Sequence, residues 1–321
     1  MTVSVRLDTP DDPAAVLDAL RDWQRDGDPV QLHPGDIGWY HRFGAAETAA
    51  ALRTWSRGGT ILAVGFLDGP GLVRLATDPA ARRDEELTAR IADDFADPDR
   101  GVLAAGEADV EAPADSLLRD LLPARGWTLG EAWTPLHRDL AEPVEDPGVT
   151  VETVGPDTAE AYAAIVRASF QGSTFSAERW RELAAGPAYA DARSLLAVED
   201  GAPVAAITVW TAGPGKPGLI EPLGVDPAHR GKGLGKAVTI AAAAALRDLG
   251  ASGVDVVTPR TSPAPSPPTR PRASPPAPSA ATSTARPGDT MCALRKEHTA
   301  WRNPATTSRC RPWPASSTSS T

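Results

Sequence analysis

Residues 219–249 restrict the fold more tightly than any other stretch of the chain. Leu219–Val225 is apolar and strand-like, and Asp226-Pro227-Ala228-His229 reads as a turn. Arg230-Gly231-Lys232-Gly233-Leu234-Gly235 is a glycine-rich loop, and a helical, alanine-rich pattern runs from about Gly233 to Leu249. Glycines in such a loop let the backbone approach a ligand closely and adopt dihedrals that side chains forbid. The N–H groups of the loop and of the helix N-terminus converge on one point, a setting for a phosphate or pyrophosphate. Arg230, Lys232 and Lys236 add positive charge at that point.

Several phosphate loops share this outline. A P-loop needs a glycine five residues before Gly235 and a Ser or Thr after Lys236, but Arg230 and Ala237 stand there. A dinucleotide-binding loop needs its third glycine one residue later and an acid about 20 residues on, at a strand end. Asp255 is near that distance but sits inside the apolar run GVDVV, so this reading survives only weakly. A glycine turn without a ligand is the bland alternative. Three glycines and three cations at one helix start argue against it.

The formal charge of −10 hides two unlike parts. Residues 260–321 hold nine Lys/Arg and two Asp/Glu, leaving 23 Lys/Arg and 40 Asp/Glu, or −17, in the body. An acidic body argues against nucleic acid as the main partner and favours cationic small molecules. No stretch approaches the roughly 18 apolar residues of a membrane span, so no membrane partner is expected. The N-terminal MTVSVRLDTPDDP lacks the apolar core of a signal peptide, which gives a cytoplasmic expectation. Both cysteines, Cys292 and Cys310, lie in the tail, so the body uses no thiolate metal ligands and no metal is expected.

Along the chain, helix patterns are expected at Asp11–Trp23, Ala45–Trp55 and Glu85–Phe95, with a hairpin formed by Thr60–Leu67 and Leu72–Ala76. Leu117–Leu122 reads as a helix that ends at Gly126 and passes into a strand. A Pro/Asp/Glu-rich connection, residues 141–149, separates this first domain, residues 1–140, from a second at residues 150–259. The second repeats the order, with helices at Asp157–Ser169 and Ala177–Ala185 and strands at Ser194–Glu199, Val204–Thr211, Leu219–Val225 and Gly253–Val257. Matching order in two halves indicates a duplicated fold. Residues 260–321 contain no Val, Ile or Phe, twelve Pro and twenty Ser/Thr, and are expected to be a disordered tail.

The stretch LGVDPAHRGKGLGKAV closely resembles the acetyl-CoA motif of the GNAT N-acetyltransferase family, Val-x-Pro-x-x-Arg-Gly-x-Gly-x-Gly. The resemblance in element order covers roughly residues 150–259. It implies an α/β (α+β) tandem GNAT fold, a mixed and mostly antiparallel sheet with helices on both faces, the second domain truncated. It implies acetyl-CoA as co-substrate and the amine of a small molecule or peptide as acceptor. By the same resemblance Leu223, Gly224 and Val225 face the pantetheine arm in strand fashion. Arg230, Gly231, Lys232, Gly233, Leu234, Gly235, Lys236 and Ala237 surround the pyrophosphate.

An acceptor ammonium must lose a proton before attacking a thioester, so a base is needed. Glu221, just before Leu223, is the candidate, against the alternative of an acid facing solvent at a strand end. His229 is read as a solvated loop residue. Tyr162 and Tyr189 do not stand where the family keeps its thiolate proton donor; that place falls in the segment occupied by the tail, which leaves a non-catalytic acyl-CoA-binding module as the alternative function. Leu75–Arg82 echoes Leu223–Arg230, but Arg83-Asp84-Glu85-Glu86-Leu87 replaces the glycines, so the first domain is expected to shape the cleft rather than bind CoA. Trp39, Trp55, Trp127, Trp133, Trp180 and Trp210 are expected mainly in the core, with one or two walling the acceptor site.

The tail also reads as frame-shifted. If each codon of Thr261–Ser274 borrows the last base of its predecessor, the code permits Asn-Lys-Pro-Gly-Ala-Ile-Ala-Ala-Tyr-Ala-Ala-Ala-Gly-Phe. That string resembles the family's closing motif, with a tyrosine where the proton donor belongs. Resequencing around codons 258–260 is expected to find the shift; early stops in the other frame would rule it out.

Overall fold

The computed structural model of the chain describes residues 4–69, 71–259 and 291–296. The first half runs β1 (Arg6–Asp8), α1 (Ala14–Trp23), α2 (Pro34–Tyr40), α3 (Ala45–Ala50), β2 (Leu52–Arg57), β3 (Thr60–Leu67), β4 (Leu72–Thr77), α4 (Glu85–Ala96), β5 (Ala108–Ala112), α5 (Leu118–Leu121) and β6 (Trp127–Asp139). The second half runs β7 (Thr150–Thr153), α6 (Ala159–Ser169), α7 (Ala177–Ala185), β8 (Ala192–Glu199), β9 (Ala202–Trp210), β10 (Gly218–Val225), α8 (Leu234–Asp248), β11 (Gly253–Pro259) and β12 (Met291–Lys296). In each half an edge strand and a run of helices, three in the first half and two in the second, precede a three-stranded meander, a helix and a parallel strand. The duplicated order read from the sequence is present.

The strands form one mixed sheet in the order β1-β2-β3-β4-β5-β12-β6-β11-β10-β9-β8-β7. Its pairs are antiparallel except β4 with β5 and β10 with β11. The two halves meet through β6, whose residues 133–139 pair with β11 while residues 127–133 pair with β12. β12 in turn pairs with β5. The closing strand of the first half thus lies on the second half's last strand, and β12 lies on the first half's.

One core belongs to both halves. Leu17, Leu20, Ile37 and Phe66 pack in the same buried cluster as Tyr162, Trp180, Leu196 and Trp210. It lies between the sheet and the α1, α2, α6, α7 layer. The opposite face is covered by α4 and α5 over the first half and by α8 over the second, each with its own cluster. Inside the shared core, Tyr162 Oη and Thr208 Oγ1 lie 2.6 Å apart and Ser194 Oγ is 2.9 Å from Thr208 Oγ1, so these buried hydroxyls satisfy one another.

Three expectations are corrected. The helix expected over Ala45–Trp55 ends at Ala50, and Leu52–Arg57 is β2. Leu52 and Trp55 are fully buried there, and Trp55 Nε1 donates to the buried Asp94 Oδ2 on α4 at 2.9 Å. Tertiary packing overrides the helical pattern. Residues 260–321, expected to lie outside the fold, contribute β12, because the facing edges of β5 and β6 leave a slot that any backbone with free N–H and C=O groups can fill. The rest of that segment, and with it the frame-shifted reading, lies outside the described residues.

The third correction is α2, which the sequence analysis does not contain. Its start is encoded by a capping box: His33 accepts from Gly35 N at 2.9 Å, Asp36 Oδ2 accepts from His33 N at 2.7 Å, and Pro34 opens the helix. Gly35 and Gly38 lower helix propensity and conceal the element, but Trp210 of the other half requires them. A Cβ at Gly38 would stand 2.3 Å from Trp210 Cζ3. Gly38→Ala is therefore expected to lower stability by about 1–3 kcal/mol through overpacking, read as a lower midpoint in urea unfolding.

Candidate active site

β10 and β11 pair at Gly218↔Val254 and Leu219↔Asp255, with no further pairs among the described residues. The register of β10 against β9 shifts between Ile220 and Leu223, and the Glu221–Pro222 peptide is cis. The next residues, Leu223, Gly224 and Val225, pair with β9 on one edge, so their other edge faces the gap left by β11. That gap opens into a cavity of about 1380 Å³ with walls from both halves. An extended ligand can lie along such a strand edge as an added strand.

The loop stands at one side of this cavity. Gly231 and Gly233 hold φ of +79° and +84°, a left-handed conformation that disfavours any other residue. Gly233 is the N-cap of α8, and the first bond of that helix runs from Ala237 N to Gly233 O at 3.0 Å. The N–H groups from Leu234 to Lys236 therefore have no intrahelical partner. Ala237, expected among the cofactor contacts, lies one position past these donors with its N–H committed to the helix. Gly235 and Lys236 line the cavity, whereas Lys232 reaches Glu199 at 3.5 Å. Arg230 bridges the loop to its surroundings, donating to Val225 O at 3.3 Å and Ser169 O at 3.2 Å. His229, read as a solvated loop residue, lines the cavity with Nδ1 3.9 Å from Asp226 Oδ1.

Glu221 lies in the cavity wall where the two halves meet. Burial pushes its carboxyl up to about 8, the neighbouring Asp36 charge pushes the same way, and Arg74 opposes. Its neighbours come from the first half: Arg74 on β4 ion-pairs with Asp36 at 2.9 Å, Asp68 at 3.4 Å and Glu111 at 3.1 Å. One guanidinium thus serves several buried carboxylates, and burial raises Asp68 and Glu111 as well. This cluster went unread in the sequence because its members are spread over α2, β4 and β5 and meet Glu221 only across the two halves.

A second group escaped the sequence too. His137 on β6 and Asp255 on β11 are partners in register, and His137 Nδ1 is 2.8 Å from Asp255 Oδ1 at the cavity wall. Asp255 looked like an interior residue of an apolar strand, but the alternation of β11 turns it away from the α8 side that Val254 occupies. Tyr162 and Tyr189 are hydrogen-bonded within the core, to Thr208 and Ser194. Trp55, Trp127, Trp180 and Trp210 are buried, while Trp39 and Trp133 line the cavity. Among the described residues no group of three His, Cys, Asp or Glu side chains could hold a metal ion, and no helix is long and apolar enough to cross a membrane.

The corresponding loop of the first half holds a carboxylate of its own. Asp84 caps α4 by accepting from Leu87 N at 2.9 Å, and Arg57 pairs with Asp84 at 2.6 Å and Glu86 at 3.0 Å. The Arg57 hydrogen bond holds the Asp84 carboxyl below its usual value. The helix terminus that could face a phosphate already faces an anion.

The model of the acetyltransferase (GNAT) family matches residues 158–264. No curated protein matches the chain. Among solved structures, a GCN5-related N-acetyltransferase from Sphaerobacter thermophilus is similar at 20% identity and TM-score 0.49, over 81% of this chain and 89% of that one. A tandem GNAT protein from the clavulanic acid biosynthesis pathway is similar at 16% identity and TM-score 0.47, over 80% and 91%. A GCN5-related N-acetyltransferase from Kribbella flavida is similar at 23% identity and TM-score 0.41, over 61% and 76%. The strand, glycine loop and helix of residues 218–248 lie inside the segment, residues 158–264, that is similar to the acetyltransferase (GNAT) family.

Proposed function

We propose that the chain is an N-acyltransferase that moves an acetyl group from acetyl-CoA to a primary amine of a small molecule or peptide. The observation that carries this is one cavity joining the glycine loop, the free edge of β10 and Glu221. In this reading Gly231 to Lys236 hold the pyrophosphate through backbone N–H groups and Lys236 adds charge. Leu223, Gly224 and Val225 offer backbone groups to the pantetheine arm, and a strand N–H there stabilises the oxyanion formed on attack.

Glu221 takes the proton from the acceptor ammonium. Its raised pKa suits a base that works near neutral pH, where a surface carboxylate would be too weak. His137, oriented by Asp255, supplies a second titratable group that can return a proton to the leaving thiolate. The first half contributes the acceptor wall, through Asp36, Arg74 and Glu111, rather than a second coenzyme site.

Titration calorimetry with acetyl-CoA is expected to give one site per chain. Two sites, or none, would overturn the assignment. A screen of amines with a thiol readout then separates a transferase from a module that only binds the coenzyme.

A further inference from the structure

Asp36 and Glu221 are held beside one another by a side chain that belongs to neither. Trp210 on β9 donates from Nε1 to Glu221 O at 2.7 Å, which fixes the backbone that carries the carboxyl. The same indole packs on α2 at Gly35 and Gly38, which bracket Asp36. A Cβ at those glycines would stand 2.6 Å and 2.3 Å from it. Asp36 is fixed from its own half as well. Its Oδ2 accepts from His33 N at 2.7 Å and its Oδ1 accepts from Arg74 at 2.9 Å. Asp36, Asp68, Arg74 and Glu221 wall one gap with Tyr40 and Arg42, and that gap is too narrow to admit a water molecule.

Without water, a charge there is balanced only by its neighbours. The groups facing Glu221 are Asp36 and Tyr40 of α2, Arg42 just after it, Asp68 after β3, Arg74 of β4 and, behind Arg74, Glu111 of β5. Four carboxyls meet two guanidiniums, so full ionisation is unfavourable and a proton stays among them. Among the described residues Arg74 ion-pairs with Asp36, Asp68 and Glu111 but not with Glu221. The two donors on Asp36 favour its ionised form, which leaves the proton to Glu221. The upward push on the Glu221 carboxyl, from burial first and then from Asp36, agrees with this division.

We propose that Asp36 is a positioning residue for the base: its carboxylate accepts the proton of Glu221 in a hydrogen bond that crosses from the first half to the second. This rests on the acyltransfer reading, in which a proton passes from the acceptor ammonium to a Glu221 oxygen and leaves a neutral amine. Asp36 then holds the protonated carboxyl in place. Only a chain whose halves have closed possesses such a base.

The test is an NMR pH titration of the full chain with carbon-13 at its Asp and Glu carboxyl carbons. In the wild type a step at about 8 should move the Glu221 and Asp36 carbons together, because a shared proton belongs to the pair. Asp36→Asn should lower the Glu221 midpoint by about one pH unit or more, since it removes the like charge. Asp36→Glu, which keeps that charge, should restore part of the shift. An Asp36 carbon that stays still through the Glu221 step overturns the proposal, and this is read on the wild type whether or not the variants fold. A Glu221 midpoint that is unchanged in folded Asp36→Asn overturns it too. Neither reading needs the coenzyme, so failure of CoA to bind would sink the acyltransfer reading separately.

Discussion

Gly233→Glu is expected to weaken acetyl-CoA binding by about 100-fold or more. Two effects add. A side chain at φ +84° carries a backbone penalty of roughly 1–2 kcal/mol. A carboxylate at the helix N-cap then occupies the position where the free N–H groups of α8 attract an anion, and repels the pyrophosphate besides. No heavy atom lies within 4 Å of the added Cβ, so the fold should survive and circular dichroism should be unchanged. Calorimetry decides the matter: wild-type affinity in this variant would place the coenzyme elsewhere. The first half provides a natural comparison, since Asp84 already stands in the equivalent turn as the cap of α4.

Glu221→Gln is expected to reduce turnover by about 10²–10⁴-fold while leaving acetyl-CoA affinity within about tenfold, because a base acts on the amine and not on the coenzyme. The measurement belongs on a chain whose closing segment is restored to the alternative frame. There the wild-type rate should climb with pH until Glu221 ionises, near 8, and the glutamine variant should lose that limb. A rate profile that is the same in both would remove Glu221 from the chemistry.

The same group bears on stability, with a definite sign. The folded state holds the Glu221 proton up to about 8, well above the ordinary carboxylate value of 4.5. The associated stability is complete below the lower value and is lost as pH rises through the upper one. Burial pushes Asp68 and Glu111 in the same direction. Glu221→Gln should therefore match wild type near pH 4 and melt at a higher temperature near pH 8. Equal melting points at both pH values would mean the carboxyl is not held protonated by the fold.

Much of the second half was legible in its residues. Strand, turn, glycine loop and helix follow one another between 218 and 248 because local chemistry dictates each: alternation in β10, Asp226 and Pro227 in the turn, left-handed glycines at 231 and 233, and alanine in α8. The hairpin of β3 and β4, the helix α7 and the left-handed Gly126 before β6 were read for the same reason, since short-range patterns encode them. The likeness to the family model at residues 158–264 includes a contiguous motif, and a contiguous motif survives in a string of letters.

The proposed acceptor end of the cavity belongs to the tertiary structure. α2 carries two glycines and looks unlike a helix until Trp210 packs against it. Trp55 fits a helical pattern until β1, β3 and Asp94 claim it for a strand. Asp36, Arg74, Glu111 and Glu221 come from four elements of two halves, as do Arg42 and Arg179 over Phe43, and His137 meets Asp255 only because β6 crosses to pair with β11. Residues far apart in the chain carry no mutual signal in a single sequence. Their pKa values, their pairing and their access to one cavity arise from burial and distance, which exist only once the two halves have closed on a shared core.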